Sequence, residues 1–201
     1  MSSKLQLINA ALLLLGDKAS VTSGEDASTS FRNSEILYDV FYESILAERV
    51  WRFAIKTTVL NKILGATKID GWQYAYALPS DYLLISHMQP NRKYEIIGTT
   101  LYSNFNNTDA NSPPTLFYTH KVSEGILPAY FIPYLIEKLA SLFAMKITNN
   151  PSIAQLWAQS ADLKLREAIT HDYQSQTSQL LKSNLVVSAH YGLGSLFGLN
   201  E

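Results

Sequence analysis

The 201-residue chain contains no cysteine. That absence removes disulfides, thiolate nucleophiles and thiolate metal ligands together, and it fits synthesis in a reducing cytoplasm. Charge is scarce too: charged residues make up 16% of the chain, against about a quarter in average soluble domains. Lys plus Arg (16) and Asp plus Glu (17) nearly cancel, and residues 1–100 carry ten of each sign, so neither half is a basic or acidic block. A protein that grips nucleic acid through its phosphates needs a clustered basic face, and none is visible. The four histidines, His87, His120, His171 and His190, stand in separate segments without metal-site spacing and are read as solvated or partner-contacting. No stretch is long and apolar enough to cross a bilayer. The run Leu5–Leu15 follows Lys4 and precedes Ala19-Ser20 like a secretory signal, but Gln6 and Asn9 interrupt it. Leu5, Ile8, Leu12 and Leu15 recur at helical spacing, so the segment is expected to be an amphipathic helix ending at Gly16.

What replaces charge is 12 tyrosines, many Asn and Ser, and a large share of Ala and Leu. Aromatic enrichment with charge depletion is the drift of buried subunit interfaces. A large apolar core in a monomer gives the same composition, but exposed low-charge surface tends to associate.

The pattern predicts an α+β protein: an antiparallel helical bundle with an inserted small antiparallel β domain, sandwich or barrel, and an extended C-terminal arm. The expected division is residues 1–51 and 121–183 for the bundle, 52–120 for the β insertion and 184–201 for the arm. A second helix is expected over about 29–51, capped by Ser28, Thr29 or Ser30, with Phe31, Leu37, Phe41, Ile45 and Glu48 on one side. Ile36, Tyr38, Val40, Tyr42, Leu46 and Val50 make it apolar on other sides too, which implies burial on more than one face. Short β-like runs follow at Phe53–Leu60, Tyr74–Leu78, Tyr82–Met88, Tyr94–Ile97, Thr99–Ser103 and Leu116–Thr119, separated by turn-forming Pro, Gly, Asn and Asp. Helical patterning returns after Gly125, with Pro128 or Pro133 in an opening turn. Pro151 suits the first position of a last helix capped by Asn149 or Asn150.

Catalytic chemistry finds little footing. There is no Gly-x-Ser-x-Gly elbow, and Gly192-Leu193-Gly194-Ser195-Leu196-Phe197-Gly198 lacks the following helix that a nucleotide fingerprint requires. Asp70, Asp81 and Asp109 are conceivable as a carboxylate pair for glycan cleavage, but turn chemistry explains them beside Gly and Pro. No catalytic, cofactor-binding or metal-ligating residue is assigned, no cofactor is expected, and the chain is read as a non-enzyme.

Three segments occur in a distinctive order: Trp51-Arg52-Phe53-Ala54-Ile55-Lys56 after Arg49-Val50; Trp72-Gln73-Tyr74-Ala75-Tyr76-Ala77-Leu78-Pro79-Ser80-Asp81-Tyr82-Leu83; and the helical pair Leu135–Ala140 and Lys164–Ala168 closing on Asp172. With the Ile8-Asn9-Ala10-Ala11 to Leu15-Gly16 helix, they resemble the tail tubular protein A family of short-tailed bacteriophages over about residues 5–175. The resemblance implies a structural virion protein of the tail, made in the host cytoplasm: a homo-oligomeric ring, dodecameric in relatives, between the capsid portal and the tail nozzle. Double-stranded DNA passes transiently and non-specifically through such a ring, and tail fibres are further partners. The tail after Asp172 departs from the family pattern.

On this reading Leu185, Val187, Tyr191, Leu193, Leu196, Phe197 and Leu199 are expected to contact portal or a neighbouring subunit, since residues 184–201 are apolar and Gly-punctuated. The long polar loop bearing Asn104, Asn106, Asn107, Asp109 and Asn111 is expected to meet a tail partner. Trp51, Phe53, Trp72, Pro79 and Asp81 are expected as structural pivots. Two other readings remain open: a glycan-degrading tail component with two carboxylates in a cleft, and a host cytoplasmic oligomer with an apolar ligand pocket within residues 52–120.

Overall fold

The computed structural model describes residues 3–18, 28–65, 69, 71–106 and 113–174. These form a mixed α+β structure with four helices and two antiparallel sheets. The helices are α1 (Lys4–Leu14), α2 (Thr29–Ala47), α3 (Phe131–Ile147) and α4 (Pro151–Gln174). The strands are β1 (Ile55–Val59), β2 (Asn61–Lys62), β3 (Tyr74–Ala77), β4 (Tyr82–Gln89), β5 (Tyr94–Ile97), β6 (Thr100–Ser103) and β7 (Thr115–His120).

Helix ends follow local chemistry. Ser3 and Gln6 make a reciprocal capping box at α1, its side chains and backbone amides pairing at 3.3 and 3.0 Å. Gly16, at φ +80°, supplies the left-handed residue just beyond that helix. Of the three candidate caps for α2, Ser28 accepts from the Phe31 amide at 3.2 Å. Asn150 accepts from the Ser152 amide at 3.0 Å, with Pro151 opening α4 as its fixed φ favours.

The four helices share one apolar cluster, built from Leu7, Ile8, Phe31, Tyr38, Leu135 and Phe143 among others, and it extends to Ala54, Val122 and Leu127 at the approach to the sheets. Helix α3 packs most extensively against α4. Small buried residues, Ala140 and Ala144 on one side and Ala161 and Ala168 on the other, allow that close approach. The buried residues of α2 are Phe31, Ser34, Tyr38, Tyr42, Ile45 and Leu46; of the side expected from sequence Phe31 and Ile45 are buried, Leu37 and Phe41 pack half-buried on the same core, and Glu48 is exposed. Tyr42 sits in that core because its hydroxyl donates to the Val122 carbonyl at 2.9 Å, satisfying its polar end in the interior. Burial of α2 on several faces is not found within the chain: Ile36 and Val40, four apart, are 75% and 66% exposed.

One sheet has the order β1-β7-β4 and the other β2-β3-β6-β5. Strand β1 pairs with β7 from Ile55↔Thr119 to Val59↔Thr115, so the entering and leaving strands of the β segment are neighbours. The strand starts at Tyr74, Tyr82 and Tyr94 are those expected, whereas Phe53 lies in a 3-10 turn (Arg52–Ala54) before β1. Leu60, Tyr76, Met88, Leu101, Leu116 and Tyr118, drawn from both sheets and the link between them, form a second apolar cluster.

Candidate interaction surfaces

The corner where α2 gives way to strand is the most densely built part of the chain. Trp51 is fully buried, its ring edge-on to Phe131 at 4.8 Å and tilted against Phe53 and Tyr134 at 5.9 and 6.0 Å. The Arg49 guanidinium lies over it at 5.0 Å, a cation–π arrangement. Its indole Nε1 is buried without a hydrogen-bond partner. The distant end of α4 closes this corner. Asp172, 1% exposed, accepts from the Arg52 amide through both carboxylate oxygens at 3.3 Å and from the Tyr130 hydroxyl at 2.9 Å. Burial, then this carboxylate, push the Tyr130 hydroxyl well above the ordinary phenol range. Glu48 ties α2 to α3 by accepting from the Tyr134 hydroxyl and pairing with Lys138 at 2.9 Å.

The remaining expected pivots divide between two places. Asp81 pairs with Lys56 at 2.6 Å and accepts from the Tyr118 hydroxyl at 3.0 Å, pinning the β3–β4 turn to β1 and β7. The Lys56 hydrogen bond, helped by Tyr118, holds the Asp81 carboxyl below its usual range, the opposite of what a general acid for glycan cleavage needs. Asp70 and Asp109 lie outside the described residues. Pro79 is half-buried at the same turn, its carbonyl 3.5 Å from the Tyr82 amide. Trp72 stands at the four-stranded sheet, donating its indole N–H to Glu95 at 2.7 Å.

Asn104, expected to face a tail partner, uses its amide within the chain. It accepts from the Gln73 amide at 2.9 Å and donates to the Gly71 carbonyl at 3.0 Å, which fixes the Trp72 loop to the end of β6. Asn106 presents a buried side-chain oxygen without a hydrogen-bond partner. Asn107, Asp109 and Asn111 lie outside the described residues, as do all seven expected arm contacts: Leu185, Val187, Tyr191, Leu193, Leu196, Phe197 and Leu199.

His87 and His171 are exposed, as expected, with His87 stacked on Phe117 at 4.3 Å and His171 on Tyr130 at 6.1 Å; His120 is half-buried, its Nδ1 2.9 Å from the Ala54 carbonyl, and His190 lies outside the described residues. Among the described residues no group of three His, Cys, Asp or Glu is placed to hold a metal, and no helix is long and apolar enough to cross a membrane.

Sequence reasoning missed the unpartnered apolar positions on the helices. Leu156 and Leu163, seven apart and so on one face of α4, are 60% and 61% exposed, and Met145 on α3 is 48% exposed. The signal was present in α4, where Leu156 and Leu163 fall on a different face from Ala161, Leu165 and Ala168. A scan against models of known protein families gives no match, and a search of curated proteins gives none either.

Proposed function

We propose that the chain is a structural subunit that acts by assembly, as the adaptor ring joining a phage capsid portal to the tail nozzle and lining part of the DNA exit channel. The observation that supports the reading is the exposed apolar surface on all four helices, Leu13 on α1, Ile36 and Val40 on α2, Met145 on α3 and Leu156 and Leu163 on α4, in a chain that is only 16% charged. Scattered single apolar residues are normal on any surface. Pairs at four- and seven-residue spacing, each on one face of its helix, are what side-by-side packing of identical subunits buries, and a heterologous interface of that kind closes into a ring when its rotation permits. The ordered motifs around Trp51, Trp72 and Asp172 supply the resemblance to the tail tubular protein A family, and near-zero net charge suits a channel through which DNA slides without being held.

In this proposal the helices form a bundle, the β segment is an insertion facing the other tail proteins, and residues 184–201 form an arm that orders on portal or on the next subunit. Only Glu201 carries a formal charge in that segment, with His190 neutral, and Phe197 with the neighbouring leucines favours burial in a partner groove. Electron microscopy of the purified chain mixed with portal is the test. A ring docked coaxially on portal, lost on deletion of residues 191–201 with an unchanged subunit melting curve, is the expected result. A monomer indifferent to portal overturns the proposal.

A further inference from the structure

Two adjoining recesses of about 520 and 430 Å³ run along the end of the four-stranded sheet and share Trp72, Arg92 and Lys93. Together they form one shallow recess, open to solvent, each part within the size range of ligand sites. Its walls are held in place before any ligand arrives. Asn104 fixes the Trp72 loop, the Ser103 hydroxyl donates to the Lys93 carbonyl at 3.0 Å, and Glu95 takes up the Trp72 N–H. The indole is therefore available to a ligand through its ring face rather than its donor.

Arg92 and Lys93 are exposed and form no ion pair among the described residues. They are also the only cations between Lys68 and Lys121 in the sequence. Asn106 also lines the recess, and its buried side-chain oxygen has no donor among the described residues. A buried acceptor left unbonded is destabilising, and a ligand hydroxyl relieves it.

We propose that this recess binds an acidic oligosaccharide, with a sugar ring on the face of Trp72, a ligand carboxylate on Arg92 and Lys93, and a ligand hydroxyl donating to Asn106. An aromatic platform, amides and a pair of cations match the apolar ring face, hydroxyls and carboxylates of such a chain. Openness to solvent favours a chain that can extend beyond the recess over a compact metabolite that needs enclosure. The charge count chooses between polymers: Arg92 and Lys93 are the two cations among the lining residues, enough to hold one or two carboxylates while the rest of the contact comes from the Trp72 ring and the amides. Single-stranded nucleic acid draws its affinity from several neutralised phosphates, which this recess does not supply.

The inference is independent of ring formation and is tested on the full chain by titration calorimetry, with the Trp72 indole N–H resonance followed by NMR. Tetragalacturonate and tetramannuronate are the probes, maltotetraose the neutral control and an oligothymidylate the nucleic-acid competitor. Saturable binding of an acidic tetrasaccharide that shifts the Trp72 resonance is expected, with maltotetraose weaker by roughly tenfold or more, as befits loss of a charged hydrogen bond. In Arg92→Gln/Lys93→Gln, both sites being exposed, the preference for the acidic chain disappears while the melting temperature holds. Absence of saturable binding by both acidic probes at millimolar concentration overturns the proposal, as does tighter binding of oligothymidylate or unchanged affinity in the double variant.

Discussion

Replacing Trp51 by alanine tests whether the corner between α2 and β1 organises the chain. The side chain is fully buried, and a Trp in that position hides about 200 Å². At about 25 cal/mol per Å² this corresponds to roughly 5 kcal/mol of transfer free energy, an upper bound because unfolded chains already bury some surface. Loss of the edge-on contact with Phe131 at 4.8 Å adds roughly 0.5–1.5 kcal/mol. Acting the other way, the indole Nε1 has no hydrogen-bond partner, and removing an unsatisfied buried donor returns about 1–3 kcal/mol. The net expectation is a loss of about 3–5 kcal/mol, in the range of buried aromatic truncations. That is a large part of the roughly 5–15 kcal/mol available to a domain. Trp51→Phe should lose only about 1–2 kcal/mol, since it leaves a smaller cavity and eliminates the orphaned N–H. Urea unfolding followed by far-UV circular dichroism measures both through the midpoint, provided the slope is unchanged. A wild-type midpoint for Trp51→Ala, or a Phe variant weaker than the Ala variant, refutes the reasoning.

Three further expectations concern other parts of the chain. Asp172→Ala strands the Arg52 amide and the Tyr130 hydroxyl and should cost about 2–5 kcal/mol, whereas Asp172→Asn, which keeps one acceptor oxygen, should cost less; equal midpoints in urea for the two variants would contradict this. Lys56 holds the Asp81 carboxyl below its usual range, and hydrogen bonds from Lys4 and then Lys121 do the same for Asp39. With folded values depressed, that stabilisation is full above the unfolded pKa of about 3.9 and is lost as pH falls through the folded values. Asp39→Asn/Asp81→Asn should therefore flatten the acid limb of a stability–pH curve, and an unaltered acid limb counts against it. Ile36→Lys/Val40→Lys, at positions 75% and 66% exposed, should move monomer stability by less than about 1 kcal/mol yet abolish assembly in sedimentation velocity; persistence of the assembled species excludes that face as an interface.

Strand positions were legible because Tyr74, Tyr82 and Tyr94 each follow turn-forming residues and open runs rich in aromatic and β-branched side chains. Their division between two sheets was not, since pairing of β1 with β7 depends on residues some sixty positions apart that carry no mark of each other. The two-residue strand β2 is too short to show a period. On α2, hydrophobicity placed Phe31, Leu37, Phe41 and Ile45 inward, and all four touch the core; that Tyr42 is buried with them depends on its hydroxyl finding the Val122 carbonyl, eighty residues away. On α4, the apolar positions Ile153, Leu156, Trp157, Leu163, Ala168 and Ile169 do not by themselves separate the buried Ala168 from Leu156 and Leu163, which are exposed. The recess at Trp72 was hidden because its walls come from three separate segments; its one visible signal is Arg92-Lys93, a cation pair in a long stretch otherwise without positive charge.

Because β1 and β7 are adjacent and antiparallel, the chain leaves the helices after Trp51 and returns before Val122 through one doorway. Phe53, Ala54 and Leu83 pack into the helical cluster, so the part of the segment beyond those residues is what bears on the helices through loop closure, and doubling the length of a flexible loop raises that term by only about 0.6 kcal/mol. A change of length there should have little effect on how the helices meet. Variation in length among related chains should concentrate between the Asp81–Lys56 clasp and β7, outside the two strands that frame the opening.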